Sequence, residues 1–295
     1  DRIAVIGNGL ADRMQHDGWM ETHLQAVNPD KELSFRNLSL TGDRIDRYPR
    51  SKGFMPMNDY LRHVEADVIF AFFGYNESFA GAAGIEEFEK KLAEMIETYR
   101  GIKSNGKDFA RIVLFSPIAH ENLNDPNLPD GSENNQRIAL YTASMQKVAA
   151  HEGVAFVDLY HPTRELFEAE EEPLTINGIH LNVAGNRHVG RIIAEAINGS
   201  ASDDAELLAA TREAVLDKNW YWHNRYRATD GNDIWGGRST LKFVNDQTNA
   251  EVLQHELVML DVMSNNRDPL IWAKANGSDW KVDDSNVPDP VPVIS

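Results

Sequence analysis

The stretch "RIAVIGNGLADRM" (residues 2–14) predicts a short apolar strand that passes through a glycine-containing turn into a helix. This arrangement is typical of α/β proteins, in which the turn lies at the carboxyl end of a parallel strand. Further apolar runs of strand length occupy residues 33–40, 66–74, 111–117 and 154–160. Because these runs are largely unbroken, they favour a parallel sheet that is buried on both faces.

Amphipathic segments separate the predicted strands. Apolar residues recur at helical spacing over residues 85–99, 138–149 and 183–198, which predicts helices that bury one face. The alternation of strands and helices predicts an α/β fold over residues 1–200. We expect a three-layer α/β/α sandwich of the flavodoxin-like type, built around a five-stranded parallel sheet.

The sequence pattern changes after residue 200. We expect residues 201–280 to form a helical, aromatic extension that packs on the first domain. The acidic, proline-rich residues 281–295 predict a linker-like tail. Since a strand follows Asp1 almost at once, we also expect that a presequence or an upstream domain has been removed and that the full-length chain has further domains. These features favour an extracytoplasmic protein.

The composition excludes several classes of function. A formal net charge of −17 argues against a nucleic-acid partner, because a phosphate backbone attracts basic surfaces. No apolar run approaches the roughly 18 residues that a membrane span needs. The chain has no cysteine, which excludes disulfides, cysteine-ligated zinc and thiol nucleophiles.

Polar clusters follow the predicted strands. They are "GNGLADRM" (7–14), "TGDRIDR" (41–47) and "GYNES" (74–78), with "NGIHLNVAGNRH" (177–188) before the last helix of the domain. The carboxyl ends of parallel strands meet at one edge of a sheet, where α/β proteins bind their ligands. We therefore expect the four clusters to converge on one site.

In this order and spacing the clusters resemble the SGNH/GDSL hydrolase superfamily. Its sequence blocks carry a nucleophilic serine, a glycine, an asparagine and a histidine, which match the positions of Gly9, Gly42, Asn76 and His180. The resemblance covers residues 1–200. The amino-acid sequences of the clusters are also similar to those of SGNH-like domains in planctomycete-type multidomain proteins.

The resemblance implies an esterase-like hydrolase that acts on carbohydrate esters without a cofactor. In this superfamily the serine attacks the ester carbonyl, and the histidine takes its proton. The resemblance implies an oxyanion pocket formed by the amides of Gly9 and Gly42 and the carboxamide of Asn76. It makes His180 the base, oriented by Asn177, which stands where the superfamily has aspartate.

Gly9 supplies no hydroxyl, and three interpretations of it stay open. A serine can have been replaced to trap a complex. A natural loss can have left a non-catalytic, carbohydrate-binding pseudoenzyme. Alternatively, the site uses another nucleophile, such as a water molecule activated by His180.

Acidic residues at the same strand ends are further candidates for catalysis. Asp12, Asp43 and Glu77 can assist a water or form the acid/base pair of a glycoside hydrolase on the same scaffold. The alternative is that they are helix caps and surface carboxylates. Together with His180 they can also converge on a metal ion, but no established metal-binding spacing is present, so we predict no metal.

Two further features suggest how a substrate is held. Arg13 and Arg44 can bind a carboxylate or sulfate group, or they form surface salt bridges. The aromatic segment at residues 218–238 either packs into a core or lines the rim of the site. We expect residues 220–235 to return to the rim or wall of the site, because tryptophan, tyrosine and arginine side chains stack on sugars and hold their polar groups.

Overall fold

The computed structural model describes residues 1–228, 231–244 and 246–292. Its main sheet consists of β1 (Arg2–Gly7), β2 (Ser34–Asn37), β3 (Val68–Phe72), β4 (Arg111–Phe115) and β5 (Ala155–Val157). All pairings in this sheet are parallel, and the order is β2-β1-β3-β4-β5. The predicted fold class is confirmed. The chain reverses its direction of winding between β1 and β3, so the ligand-binding crevice is expected there.

Helices cover both faces of the sheet. They are α1 (Gly9–Asp17), α2 (Trp19–Ala26), α3 (Met57–His63), α4 (Tyr75–Ser78), α5 (Ile85–Arg100), α6 (Ser132–Glu152), α7 (Tyr160–Ala169) and α8 (Val183–Asn198). Along β1, Ile3 and Val5 pack with α1, α2 and α8, whereas Ala4 and Ile6 face the core formed with α3, α5 and α6. Burial on both faces explains the unbroken apolar runs.

The turn after β1 is pressed against β3. Gly7 has a φ of +148°, and a Cβ atom at this position would lie 2.4 Å from the carbonyl oxygen of Phe72. Asn8 donates its backbone N–H to the same oxygen at 3.2 Å. Only glycine fits here, and this close approach fixes the point at which α1 begins.

The C-terminal extension packs on the edge strand β2. It contains α9 (Ala205–Arg227), α10 (Gly231–Ile234), a hairpin of β6 (Lys242–Val244) and β7 (Gln247–Thr248), and α11 (Asn249–Ala275). Trp222 and Trp272 donate their indole N–H groups to the carbonyls of Asn37 and Leu33, at 2.7 and 2.8 Å. Arg36 of β2 forms a buried ion pair with Asp268 of α11 at 2.7 Å. None of the helices in the described ranges combines the length and the apolar character that a membrane span requires.

The described part of the tail lies against α11. Asn266 donates to the carboxylate of Asp284 at 2.9 Å, and the ring of His255 lies 2.6 Å from the carbonyl oxygen of Asp289. The composition predicts an extended linker. It does not reveal these contacts, because they depend on side chains 18 and 34 positions earlier in the chain.

A buried ion pair joins the extension to the first domain, and its removal should destabilise the whole fold. The Lys218 amine is 1% exposed and donates to Glu21, the carbonyl of Phe35 and the side chain of Asn219 at 2.7, 3.0 and 2.7 Å. Lys218→Met leaves the Glu21 carboxylate buried without its cation. We expect the free energy of unfolding to fall by about 3–5 kcal/mol in urea titrations.

Two variants control this experiment. Lys90→Met removes an amine that is 68% exposed from its pair with Glu94 and should change the stability by about 0.5 kcal/mol or less. The double variant Glu21→Leu with Lys218→Met should recover most of the loss, because neither position then buries an unpaired charge. A loss in Lys218→Met no larger than that in Lys90→Met would show that the buried pair does not hold α9 in place.

Candidate active site

A small cavity lies at the carboxyl ends of β1, β3 and β4, next to the switch point of the sheet. Its volume is about 70 Å³, and most of its wall is apolar. Gly9, Thr41, Asn76, Ser116 and His180 line it together with side chains such as those of the phenylalanines at the end of β3. Three of the four positions that match the superfamily blocks therefore share one cavity.

Asn177 holds the imidazole of His180 in one tautomer. Its Oδ1 atom accepts the backbone N–H of His180 at 3.1 Å and that of Ile179 at 3.4 Å. A backbone N–H only donates, so the atom that faces it must be the oxygen of the amide. His180 Nδ1 lies 3.0 Å from the same oxygen and therefore carries the proton. Nε2 is left unprotonated, as a general base requires.

Gly9 is the first residue of α1 and lies directly beside the imidazole of His180. A Cβ atom at Gly9 would lie 3.8 Å from His180 Nε2 and 3.6 Å from Cγ2 of Thr41, which are ordinary contact distances. Its φ is not positive, so the backbone accepts any residue. A side chain therefore fits here, and glycine is not needed for steric reasons. As the first helical residue, Gly9 also has a backbone N–H without an acceptor inside the helix.

Burial and a nearby charge keep His180 neutral. Burial lowers the pKa of His180 below its ordinary value of about 6.5, and the positive charge of Arg13 lowers the pKa further. The Arg13 side chain is exposed. The base form of His180 is therefore present at neutral pH.

Asn76 and Gly42 do not offer free N–H donors to the cavity, as an oxyanion pocket would require. Asn76 Nδ2 donates to the carbonyls of Asp43 at 2.9 Å and Thr41 at 3.3 Å, which uses both hydrogens of the amide. Gly42 lies in the same turn beside Pro49 and does not line the cavity. In this arrangement Asn76 fixes the turn after β2.

The carboxylates of Asp43 and Glu77 do not line the cavity. They accept hydrogen bonds from nearby backbone and side-chain donors. Asp43 is fully buried and accepts both arms of the Arg50 guanidinium at 2.6 and 2.8 Å. Glu77 is buried and accepts the backbone N–H groups of Ile45 and Gly74, both at 2.9 Å. The structure thus does not bring these two candidates to the reacting position, because both carboxylates satisfy neighbouring buried donors.

Asp12 and the candidate arginines also lie outside the cavity wall. Asp12 is buried, accepts the hydroxyl of Thr41 at 2.8 Å and pairs with Arg227 at 3.2 Å. Arg44 is exposed, with its side chain 3.7 Å from Asp46. Within the described ranges, no three histidine, aspartate or glutamate side chains form a group that could hold a metal ion.

The described residues of the aromatic segment, 218–228 and 231–238, do not line the cavity, so the expected aromatic rim is wrong. Trp222 and Tyr226 are buried in the core beside β2, and Trp235 packs on Phe54. Trp220 is 61% exposed but does not line the cavity. The large apolar areas of the Trp222 and Tyr226 rings are instead buried between α9 and the first domain.

Sequence reasoning missed a buried carboxylate behind the His180 segment. Glu121, which follows β4, is 5% exposed and accepts the backbone N–H groups of Leu174 and Thr175 at 2.9 and 2.7 Å. It also accepts the hydroxyl of Thr175 at 2.6 Å. A signal was present, because the stretch "SPIAHEN" (116–122) follows a strand at the same edge of the sheet as the other clusters.

Two solved structures with TM-scores above 0.5 show a shared fold. A gut microbial diltiazem-metabolizing enzyme is 19% identical with a TM-score of 0.52, and the match covers 66% of this chain and 46% of that one. A catalytic mutant of Axe2, an acetylxylan esterase from Geobacillus stearothermophilus, is 15% identical with a TM-score of 0.51, and the match covers 67% and 94%. The acetyl xylan esterase AlAXEase is 20% identical with a TM-score of 0.49, over 67% and 100%.

Comparisons of sequence identify the family. No curated protein matches the chain significantly. The profile of the GDSL-like lipase/acylhydrolase family matches residues 6–188, which include the turn after β1 and the His180 segment. The chain belongs to the GDSL-like lipase/acylhydrolase family.

Proposed function

We propose that this protein hydrolyses esters of small acyl groups on carbohydrates, with water as the nucleophile and His180 as the general base. One observation carries the proposal. The unprotonated Nε2 of His180 faces the space beside Gly9, where the family has its serine, and a side-chain atom there would lie 3.8 Å from Nε2. A water molecule in that space is within reach of the base.

The reaction proceeds through a tetrahedral intermediate. His180 Nε2 takes a proton from the water as its oxygen attacks the ester carbonyl, and the carbonyl oxygen becomes an oxyanion. The N–H of Gly9, at the positive end of α1, stabilises this oxyanion. His180 then returns the proton to the leaving alcohol, so that ester and water give a carboxylic acid and an alcohol.

Asn177 supports this role despite its lack of charge. In serine proteases, exchange of the orienting aspartate for asparagine lowers kcat about 10⁴-fold, because it imposes the wrong tautomer on the histidine. Here two backbone N–H groups turn the oxygen of Asn177 toward Nδ1, and the catalytic tautomer is retained. Only the stabilisation of the imidazolium by a negative charge is lost.

The size of the cavity favours a small acyl group. A water molecule needs about 10–15 Å³ of such space, and the cavity offers about 70 Å³ with a largely apolar wall. This suits an attacking water together with an acetyl group. The carbohydrate part of the proposal is supported by the fold shared with an acetylxylan esterase. The aromatic segment adds no support for it.

A second candidate function is the binding of acylated carbohydrates without catalysis. The arrangement of Asn76 favours it, because both amide hydrogens are bonded to backbone carbonyls and none is left for an oxyanion. A glycoside hydrolase is not favoured, since Asp12, Asp43 and Glu77 lie outside the cavity wall.

The choice between the two candidates rests on acetate release from acetylated xylooligosaccharides and 4-nitrophenyl acetate. His180→Ala should lower kcat/KM about 10²–10⁴-fold, because the general base is lost. Gly9→Ala should lower it about 10²-fold, because the methyl group occupies the position of the attacking water. The methyl group makes only ordinary contacts, so the thermal stability should not fall.

A gain-of-function variant completes the series. Gly9→Ser with Asn177→Asp restores a hydroxyl beside the base and a charged orienting residue, and it should produce a burst of product from an acyl-enzyme. Equal acetate release by the unchanged protein, Gly9→Ala and His180→Ala would contradict the water mechanism. No acetate release, with unchanged ligand affinity in His180→Ala, would establish the second candidate instead.

The pH dependence provides another test. Because the pKa of His180 lies below its ordinary value, the active base form should persist below pH 6.5 and be lost as the pH falls through that lowered pKa. Arg13→Ala removes one of the two causes of the shift. The midpoint should then move to higher pH, both in kcat/KM and in the NMR titration of His180.

Arg164→Ala is the matched control, because this exposed arginine of α7 pairs with Glu168 and does not influence His180. It should leave the midpoint unchanged. A midpoint that is identical in Arg13→Ala and the unchanged protein would refute the electrostatic coupling between Arg13 and His180.

A further inference from the structure

We infer that Glu121 is the positioning residue of His180, because its buried carboxylate fixes the segment that presents Asn177 to the imidazole. The inference rests on the proposed function, since it concerns the base of that reaction. Its first support is the set of donors that Glu121 collects. Two backbone N–H groups and one hydroxyl lie 2.6–2.9 Å from its oxygens, and all belong to Leu174 and Thr175.

The hydrogen bonds continue from Thr175 to the turn that contains Asn177. The hydroxyl of Thr175 accepts the backbone N–H of Gly178 at 2.9 Å while it donates to Glu121. The backbone N–H of Glu121 donates to the carbonyl of Gly178 at 2.8 Å. Asn177 therefore lies between Thr175 and Gly178, and the backbones of both residues form hydrogen bonds with Glu121.

Packing restricts the same turn from the other side. Gly178 has a φ of +87°, and a Cβ atom there would lie 2.4 Å from Nε2 of His120 and 2.9 Å from the carbonyl oxygen of Glu121. Only glycine fits between these groups. The turn has no room for a side chain at position 178, and the Oδ1 atom of Asn177 lies 3.0 Å from Nδ1 of His180.

Three hydrogen bonds satisfy the buried carboxylate of Glu121, and all of them come from one segment of the chain. None of the three donors to Glu121 is a cation, and a buried carboxylate without a cation lowers stability unless hydrogen bonds satisfy it. The bonds of this carboxylate converge on one turn. The result is a fixed position for Asn177 and, through it, a single tautomer of His180.

The test records the tautomer of His180 directly in the full chain. Long-range ¹H–¹⁵N spectra, assigned with His180→Ala, should show the proton on Nδ1 in the unchanged protein. Thr175→Val removes the hydroxyl between Glu121 and Gly178, whereas Thr175→Ser keeps it. We expect Thr175→Val and Glu121→Gln to show both tautomers and about a 10–10²-fold lower kcat with KM little changed. Thr175→Ser should resemble the unchanged protein.

Glu21→Gln is the matched control, because Glu21 is a buried carboxylate in the contact with α9 and lies outside the cavity. It should lower stability without changing the His180 tautomer. An Nδ1 proton retained in both Thr175→Val and Glu121→Gln would overturn the inference. If Glu121→Gln does not fold, the comparison of Thr175→Val with Thr175→Ser decides alone. An unchanged protein that shows the tautomer but no ester turnover would refute the proposed function and leave the inference intact.

Discussion

The candidate site depends on the close approach of the turn after β1 to β3. At Gly7 there is no room for a Cβ atom, since it would lie 2.4 Å from the carbonyl oxygen of Phe72. The chain must therefore leave the sheet at this point, and α1 begins at Gly9, next to the switch point. The free N–H groups at the start of α1 consequently lie at the cavity. The turn after β2 contributes Thr41 to the wall of this cavity, and the segment before α8 contributes His180.

Helix α9 of the C-terminal extension contacts the turn after β2 and helix α1 on the side away from the cavity. Tyr226 of α9 accepts a hydrogen bond from Arg50 at 2.9 Å, and Arg50 in turn binds the buried carboxylate of Asp43 in the turn after β2. Arg227, the next residue of α9, pairs with Asp12 of α1. Tyr226 and Arg227, which belong to the segment that suggested a sugar-binding surface, therefore support the turn after β2 and helix α1.

The sequence predicts the sheet and the convergence of its loops well, because these follow from apolar periodicity and from the geometry of parallel strands. The packing contacts of the aromatic segment and of the tail do not follow from such patterns. A tryptophan such as Trp222 has the same local pattern whether its ring faces a ligand or the side of β2. Glu121 was missed for a related reason, since its partners lie 53 and 54 residues away and no local spacing connects them.

The glycines of the site differ in what requires them. A Cβ atom at Gly178 or Gly185 would lie 2.4 or 2.1 Å from a neighbouring atom, so the packing excludes any other residue there. At Gly9 both the backbone conformation and the surrounding space admit a side chain. What Gly9 changes is therefore chemical: position 9 has no hydroxyl, whereas the Oδ1 atom of Asn177 still faces Nδ1 of His180. The inferred role of Glu121 concerns the same contact, since its three hydrogen bonds hold the segment that leads to Asn177.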